Sequence, residues 1–252
     1  MKDNKKHKKA EYGILITGLI ILLVATCVIA LCAGQYRISV PEVIKILASR
    51  FVNVTKTWSN TAEGVVFTLR LPRIIGAVLV GSALSLSGAA YQGVFKNPLV
   101  APDLLGVSSG ACVGASVAIL LHLNSFGVQA MAFVAGILAV GLTLFIPRLI
   151  KNTNMTMLVL SGIIVKGIMD SVMGIIKYVA DPETELQSIT YWQLGSLTKV
   201  LPKDLFTVGP VIVAASVIIF LLRWRINILS LGDREAKTLE SFPIVKSRTE
   251  TS

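Results

Sequence analysis

Lys166, Asp170 and Lys177 interrupt an otherwise apolar run from Met155 to Val179. Their spacing puts all three on one face of a helix. Charges at membrane depth face a cavity or one another. The set therefore predicts one of two arrangements. Either Lys166 and Asp170 form a polar wall of a translocation path, or they satisfy each other while Lys177 reaches outward to water. Covalent chemistry has little to work with here. The histidines are only His7 and His122, far apart, and no metal-ligand cluster or nucleophile–base constellation is visible. No G-x-x-x-x-G-K-[ST] stretch exists, so the chain has no nucleotide-hydrolysing loop of its own. No enzyme activity and no cofactor are expected. Cys27, Cys32 and Cys112 all sit in apolar runs and read as small membrane residues, not a disulfide framework.

The elements that carry these residues follow from composition. The chain has 252 residues, 54% hydrophobic and 15% charged, with a mean hydropathy of +0.74. Soluble domains carry about 25% charge, so a water-soluble globule is excluded, as is a disordered chain. The net charge of +10 does not signal a nucleic-acid partner, because the basic residues cluster between long uncharged runs instead of lining one face. A membrane crossing needs roughly 20 apolar residues. Tyr12–Tyr36 and Ile74–Phe95 each supply one, at 25 and 22 uncharged residues. Leu104–Pro147 is uncharged for 44 residues, enough for two spans flanking the polar turn at His122–Gly127. Met155–Val179 and Leu205–Leu222 complete six. The predicted fold is all-α, a polytopic transmembrane helical bundle.

Lys and Arg near the span ends orient it. With the N-terminus in the cytoplasm, 14 basic residues lie inside and 8 outside. The basic Met1–Lys9 and the apolar run after it also resemble a secretory signal, but five further spans favour an uncleaved first helix. On the outside, Ser39-Val40-Pro41-Glu42 predicts the start of a short amphipathic helix. Tyr191-Trp192 suits an interfacial belt. Small residues recur every four positions at Ala77, Gly81, Ser85, Ala89 and Gly93, and again at Gly106, Gly110, Gly114 and Ala118, as close helix packing requires. Ser230 and Asp233 approximate a capping box opening a polar cytoplasmic helix. Asn97-Pro98-Leu99 occurs once, which does not support a paired half-helix water channel. Spans 1–3 and 4–6 show no inverted repeat of the secondary-transporter kind.

Three pieces form an ordered series: Arg70-Leu71-Pro72-Arg73, the helix ending Ser87-Gly88-Ala89-Ala90-Tyr91-Gln92, and Asn97-Pro98-Leu99-Val100-Ala101-Pro102-Asp103-Leu104-Leu105-Gly106. With Tyr191-Trp192-Gln193-Leu194-Gly195 and Leu231-Gly232-Asp233-Arg234-Glu235-Ala236-Lys237, this series strongly resembles the FecCD-type permeases of ABC importers for ferric siderophores, haem and cobalamin. The resemblance implies a permease subunit of the cell membrane. It would pair with a second permease subunit, as a homo- or heterodimer, and dock an extracytoplasmic substrate-binding protein outside and cytoplasmic ABC ATPase subunits inside. It also implies residue roles: Arg70 and Arg73 for binding-protein docking, Asn97 and Leu99 for the cytoplasmic gate, and Gly232, Asp233, Arg234, Glu235 and Ala236 for coupling to the ATPase. The chelate would be carried whole, with a ferric siderophore as the expected cargo.

The organisation read from these pieces is a basic cytoplasmic N-terminus (1–11), a six-span permease region (12–225), a coupling helix (226–239) and a divergent polar tail (240–252). The family fold has about ten spans. Only 27 residues follow Arg225, whereas four more spans need roughly 80 apolar residues. The sequence therefore reads as a C-terminally shortened permease, and its tail resembles a frameshifted or prematurely stopped reading frame. The alternative to a transporting subunit is a truncated, non-transporting fragment.

Overall fold

The computed structural model describes residues 2–98, 100–152 and 154–231, and among them every regular element is helical. In chain order these are α1 (Lys2–Cys32), α2 (Val40–Ala48), α3 (Asn60–Gly64), a π-helical turn (Val65–Arg70), α4 (Leu71–Phe95), α5 (Val107–Leu120), α6 (Ser125–Leu149), α7 (Met155–Val179), α8 (Glu185–Leu194), α9 (Pro202–Leu221) and α10 (Arg223–Leu231). Single 3-10 turns occupy Pro102–Leu105 and Leu197–Lys199. Among the described residues, five stretches are long and apolar enough to cross a membrane: Glu11–Cys32, Asn60–Phe95, Ser125–Leu149, Met155–Val179 and Pro202–Leu221.

The predicted third span differs in length. Pro102 opens a 3-10 turn and Gly106 adopts φ +73, so α5 begins only at Val107 and has 14 residues. That is a rise of about 21 Å, short of the roughly 30 Å hydrocarbon core. The predicted second span is longer than expected. Ser59 caps α3 by accepting from the Ala62 N–H, and the helix then runs through the π turn into α4 without a break. Arg70 and Arg73 consequently stand within a continuous helix and not in a loop. The predicted amphipathic helix is present as α2, with Pro41 in its first turn.

The chain divides into two compact units. One holds the residues up to Val80 together with Leu197–Ile212; the other holds Gly81–Ser196 and the residues from Val213 onward. In the first, a buried cluster of Leu31, Ile38, Val43, Ile46, Trp58, Ala62 and Val66 joins the end of α1, α2, α3 and the π turn. Val43, Ile46 and Leu47 fall on one helical stripe, which is why so short a helix holds its place.

In the second unit α5, α6 and α7 pack together. Of the two small-residue stripes, the one on α5 is a seam. A Cβ at Gly110 would lie 2.5 Å from Ala139 Cβ, and one at Gly114 would lie 2.4 Å from the Met131 carbonyl oxygen. Any larger side chain would push the backbones apart. The α4 stripe is different: Ala77, Gly81, Ser85 and Ala89 are exposed.

Three helices of this unit end in the same way. Lys96, His122 and Lys151 have φ of 51°, 51° and 54°. In each case that residue's N–H and the next one bond back over the last turn, as in Lys96 N to Gly93 O and Asn97 N to Gln92 O, both 3.3 Å. These are Schellman caps built on residues that pay for the left-handed backbone. Helix α10 departs from expectation: Ser230 lies inside it, not at its start. The run from Arg223 to Leu229 contains no Gly or Pro to delay the helix.

Candidate functional site

The predicted residues form four groups, of which three fall among the described residues. Arg70 is buried at 9% exposure, and its guanidinium donates to the Leu31 carbonyl at 2.5 Å and to the Tyr36 carbonyl. It thus closes the turn that leaves α1. The Leu31 carbonyl lies in the last turn of α1, where a helix end needs an outside partner. The approach depends on Gly34, at φ +147, where a Cβ would lie 2.6 Å from an Arg70 terminal nitrogen. In this structure Arg70 is a brace. Arg73, one helical turn on, is half-buried, and its Nε is buried with no hydrogen-bond partner. Both arginines line a cavity of about 490 Å³ beside Tyr36, Leu69 and Ile74.

The second group is the loop after α4. Asn97 is exposed and follows the Lys96 cap; Leu99 lies outside the described residues. Beyond them the chain is pinned tightly. Phe95, Val100 and Leu105 are buried together against Tyr91, Leu158 and Val159. The Thr143 hydroxyl on α6 donates to the Leu105 carbonyl at 3.0 Å. On α7, a Cβ at Gly162 would lie 2.0 Å from the Leu104 carbonyl oxygen, so only glycine admits this approach. Sequence reasoning missed Thr143 and Gly162. A threonine in an uncharged run and one glycine among 20 carry no local signal.

The third group is on α7. Its packed stripe is Ser161, Gly162, Val165, Met173 and Ile176, and Lys166 and Asp170 fall outside it, both exposed. No ion pair joins them among the described residues, so the self-satisfied pair is not formed. Lys177 instead donates to Gln193 Oε1 at 2.5 Å, outside the apolar run. On the following turn, Asp181 accepts from the Glu183 and Thr184 amides and the Thr184 hydroxyl at 2.9–3.0 Å. These donors hold its carboxyl below the ordinary range. The fourth group, Gly232, Asp233, Arg234, Glu235 and Ala236, lies outside the described residues.

The chain that builds this framework has counterparts among known proteins. The sequence model of the FecCD transport family matches residues 21–239. The chain belongs to that family. The molybdate import system permease protein MolB of Haemophilus influenzae is 35% identical over 230 residues, covering 91% of this chain and 67% of the relative. A probable iron chelatin transport system permease protein of Helicobacter pylori is 39% identical over 181 residues, 72% of this chain and 54% of the relative. The hemin transport system permease protein HmuU of Yersinia pestis is 34% identical over 202 residues, 77% and 59% respectively. Among solved structures, a metal-chelate type ABC transporter in an inward-facing conformation superposes with a TM-score of 0.76 at 32% identity, covering 91% of this chain and 68% of the other. The FecCD chain described here spans between about half and two thirds of the length of these curated relatives.

Proposed function

We propose that this FecCD chain acts as the transmembrane permease subunit of an ABC importer, moving a ferric siderophore across the cell membrane with ATP hydrolysed by partner subunits. The observation that carries the reading is the family match over residues 21–239, which includes both the arginine pair and the loop after α4. In this account the N-terminus is cytoplasmic. Arg73 meets acidic groups of an extracytoplasmic substrate-binding protein, while Arg70 braces the surface it stands on. Asn97 and Leu99 form the cytoplasmic gate, and Thr143 and Gly162 hold its following segment. Gly232–Ala236 couple to the ATPase, and the exposed Lys166 and Asp170 line the path beside a second permease subunit.

Siderophore iron is chosen because the two relatives named for iron chelates match at 39% and 38% identity, against 35%, 34%, 36% and 31% for relatives named for molybdate, hemin and cobalamin. The test is uptake in cells lacking their own FecCD permease but supplied with the matching ATPase and binding protein. Accumulation of radiolabelled ferric siderophore, and not of molybdate, haem or cobalamin, is the expected result. Uptake of one of the others in its place would overturn the cargo.

A second reading is a non-transporting fragment that occupies the ATPase or binding protein. It is favoured by the exposed α4 stripe and the unpaired charges on α7, which a working permease would cover or hydrate. Co-purification with the ATPase but no uptake of any cargo identifies this case.

A further inference from the structure

We propose that the cavity between Arg70 and Arg73 is a binding site for the phosphate of an anionic membrane lipid. Three observations carry it. First, the cavity of about 490 Å³ has two arginines in its wall and no acidic residue among the side chains that line it. Second, Arg73 lines the cavity, and its Nε is buried behind that wall without a hydrogen-bond partner, within a side-chain rotation of it. A buried donor left unmade costs free energy that a ligand's acceptor recovers, and an arginine fork suits a phosphate oxygen pair. Arg70 is already committed to two backbone carbonyls, so it contributes charge while Arg73 contributes the free donor.

Third, the position fits a lipid better than a free ion. The cavity lies beside the end of α1 at Cys32, which is the end of one candidate span, and Arg70 reaches the last turn of that helix from within the long Asn60–Phe95 helix; the end of α1 sets it at headgroup depth. Its remaining wall is largely apolar, including Ala30, Leu69 and Ile74. Ile29 and Leu69 are exposed beside it, at 65% and 39%, and offer a surface for the start of an acyl chain. A guanidinium pairs with a lipid phosphate while the apolar wall receives the start of its chain. A free phosphate would gain the same charge contact but nothing from the apolar wall. This site requires no binding protein, so it is measured separately from the docking role given to Arg73.

The test uses the full chain in detergent micelles, exposed to phosphatidylglycerol or phosphatidylcholine, with retained lipid read by native mass spectrometry. Phosphatidylglycerol is expected to be retained about fivefold over phosphatidylcholine. Arg73→Gln should remove that preference, and Arg73→Lys should keep part of it. Leu69→Trp fills the cavity from an exposed position while leaving both arginines, and should also abolish retention. It therefore guards against loss of folding in the arginine variant. Equal retention of the two lipids, or an undiminished preference in both Arg73→Gln and Leu69→Trp, would overturn the proposal. Displacement of phosphatidylglycerol by millimolar inorganic phosphate would overturn the lipid and assign the site to a free anion.

Discussion

The Thr143 hydroxyl and the Leu105 carbonyl form a buried 3.0 Å hydrogen bond that ties the loop after α4 to α6. Thr143 is itself fully buried. Thr143→Val keeps the shape but strands the carbonyl, so a loss of about 1–3 kcal/mol is expected. Thr143→Ser should retain most of the stability. Thermal unfolding of the detergent-solubilised chain separates the two.

Gly34 and Arg70 make a second such pair. Gly34→Ala places a Cβ against the guanidinium and forces a side chain onto φ +147. Backbone strain contributes about 1–3 kcal/mol, and the clash with the guanidinium adds a further cost that exists only while Arg70 is present. Arg70→Gln leaves the Leu31 and Tyr36 carbonyls without their donor and should fall in a similar range. If the double variant loses much less than the sum, the two act through one contact. Strict additivity would contradict it.

Lys151 caps α6 at φ 54. Replacing it with glycine removes the steric cost of the left-handed backbone, so Lys151→Gly should stabilise by about 1 kcal/mol. Lys151→Ala should not. The comparison is a pair of melting curves under one set of conditions, and a destabilised glycine variant would show that the lysine side chain matters more than its backbone.

Asp181 gives a pH dependence whose sign is fixed. Its carboxyl titrates below the ordinary range because the native turn donates hydrogen bonds to the charged form, first from the Thr184 hydroxyl and then from the Thr184 and Glu183 amides. The turn's contribution is therefore full above the unfolded carboxylate pKa and is lost as pH falls through the lower folded value. Amide exchange at Glu183 and Thr184, corrected for intrinsic pH effects, should lose protection in acid. In Asp181→Ala protection should be low throughout, without that step.

Much of this architecture was legible because bilayer length and charge distribution are read directly from a sequence. Met155–Val179 is helical over the same residues that its apolar run predicts, and Pro41 marks the first turn of α2 as expected. The polar turn at His122–Gly127 was legible too, with Asn124 capping α6 through the Gly127 amide at 2.8 Å. Less legible were features fixed by tertiary contact. The glycine stripes on α4 and α5 look alike as sequence, yet one is a packed seam and the other is exposed. Arg70 and Arg73 share a motif, but the backbone at Gly34 gives Arg70 an internal role. Pro102 and Gly106 were visible, but their effect of shortening α5 to 14 residues depends on how Leu104 and Leu105 dock on α6 and α7.

The most direct test of the permease assignment is ATP hydrolysis by the partner ATPase subunits in proteoliposomes holding this chain, with and without the iron-chelate binding protein. The account predicts that adding the loaded binding protein raises hydrolysis, that Arg73→Glu weakens this by reversing the docking charge, and that Glu235→Ala uncouples it. Hydrolysis that is the same with and without this chain, and indifferent to the binding protein, would contradict the assignment.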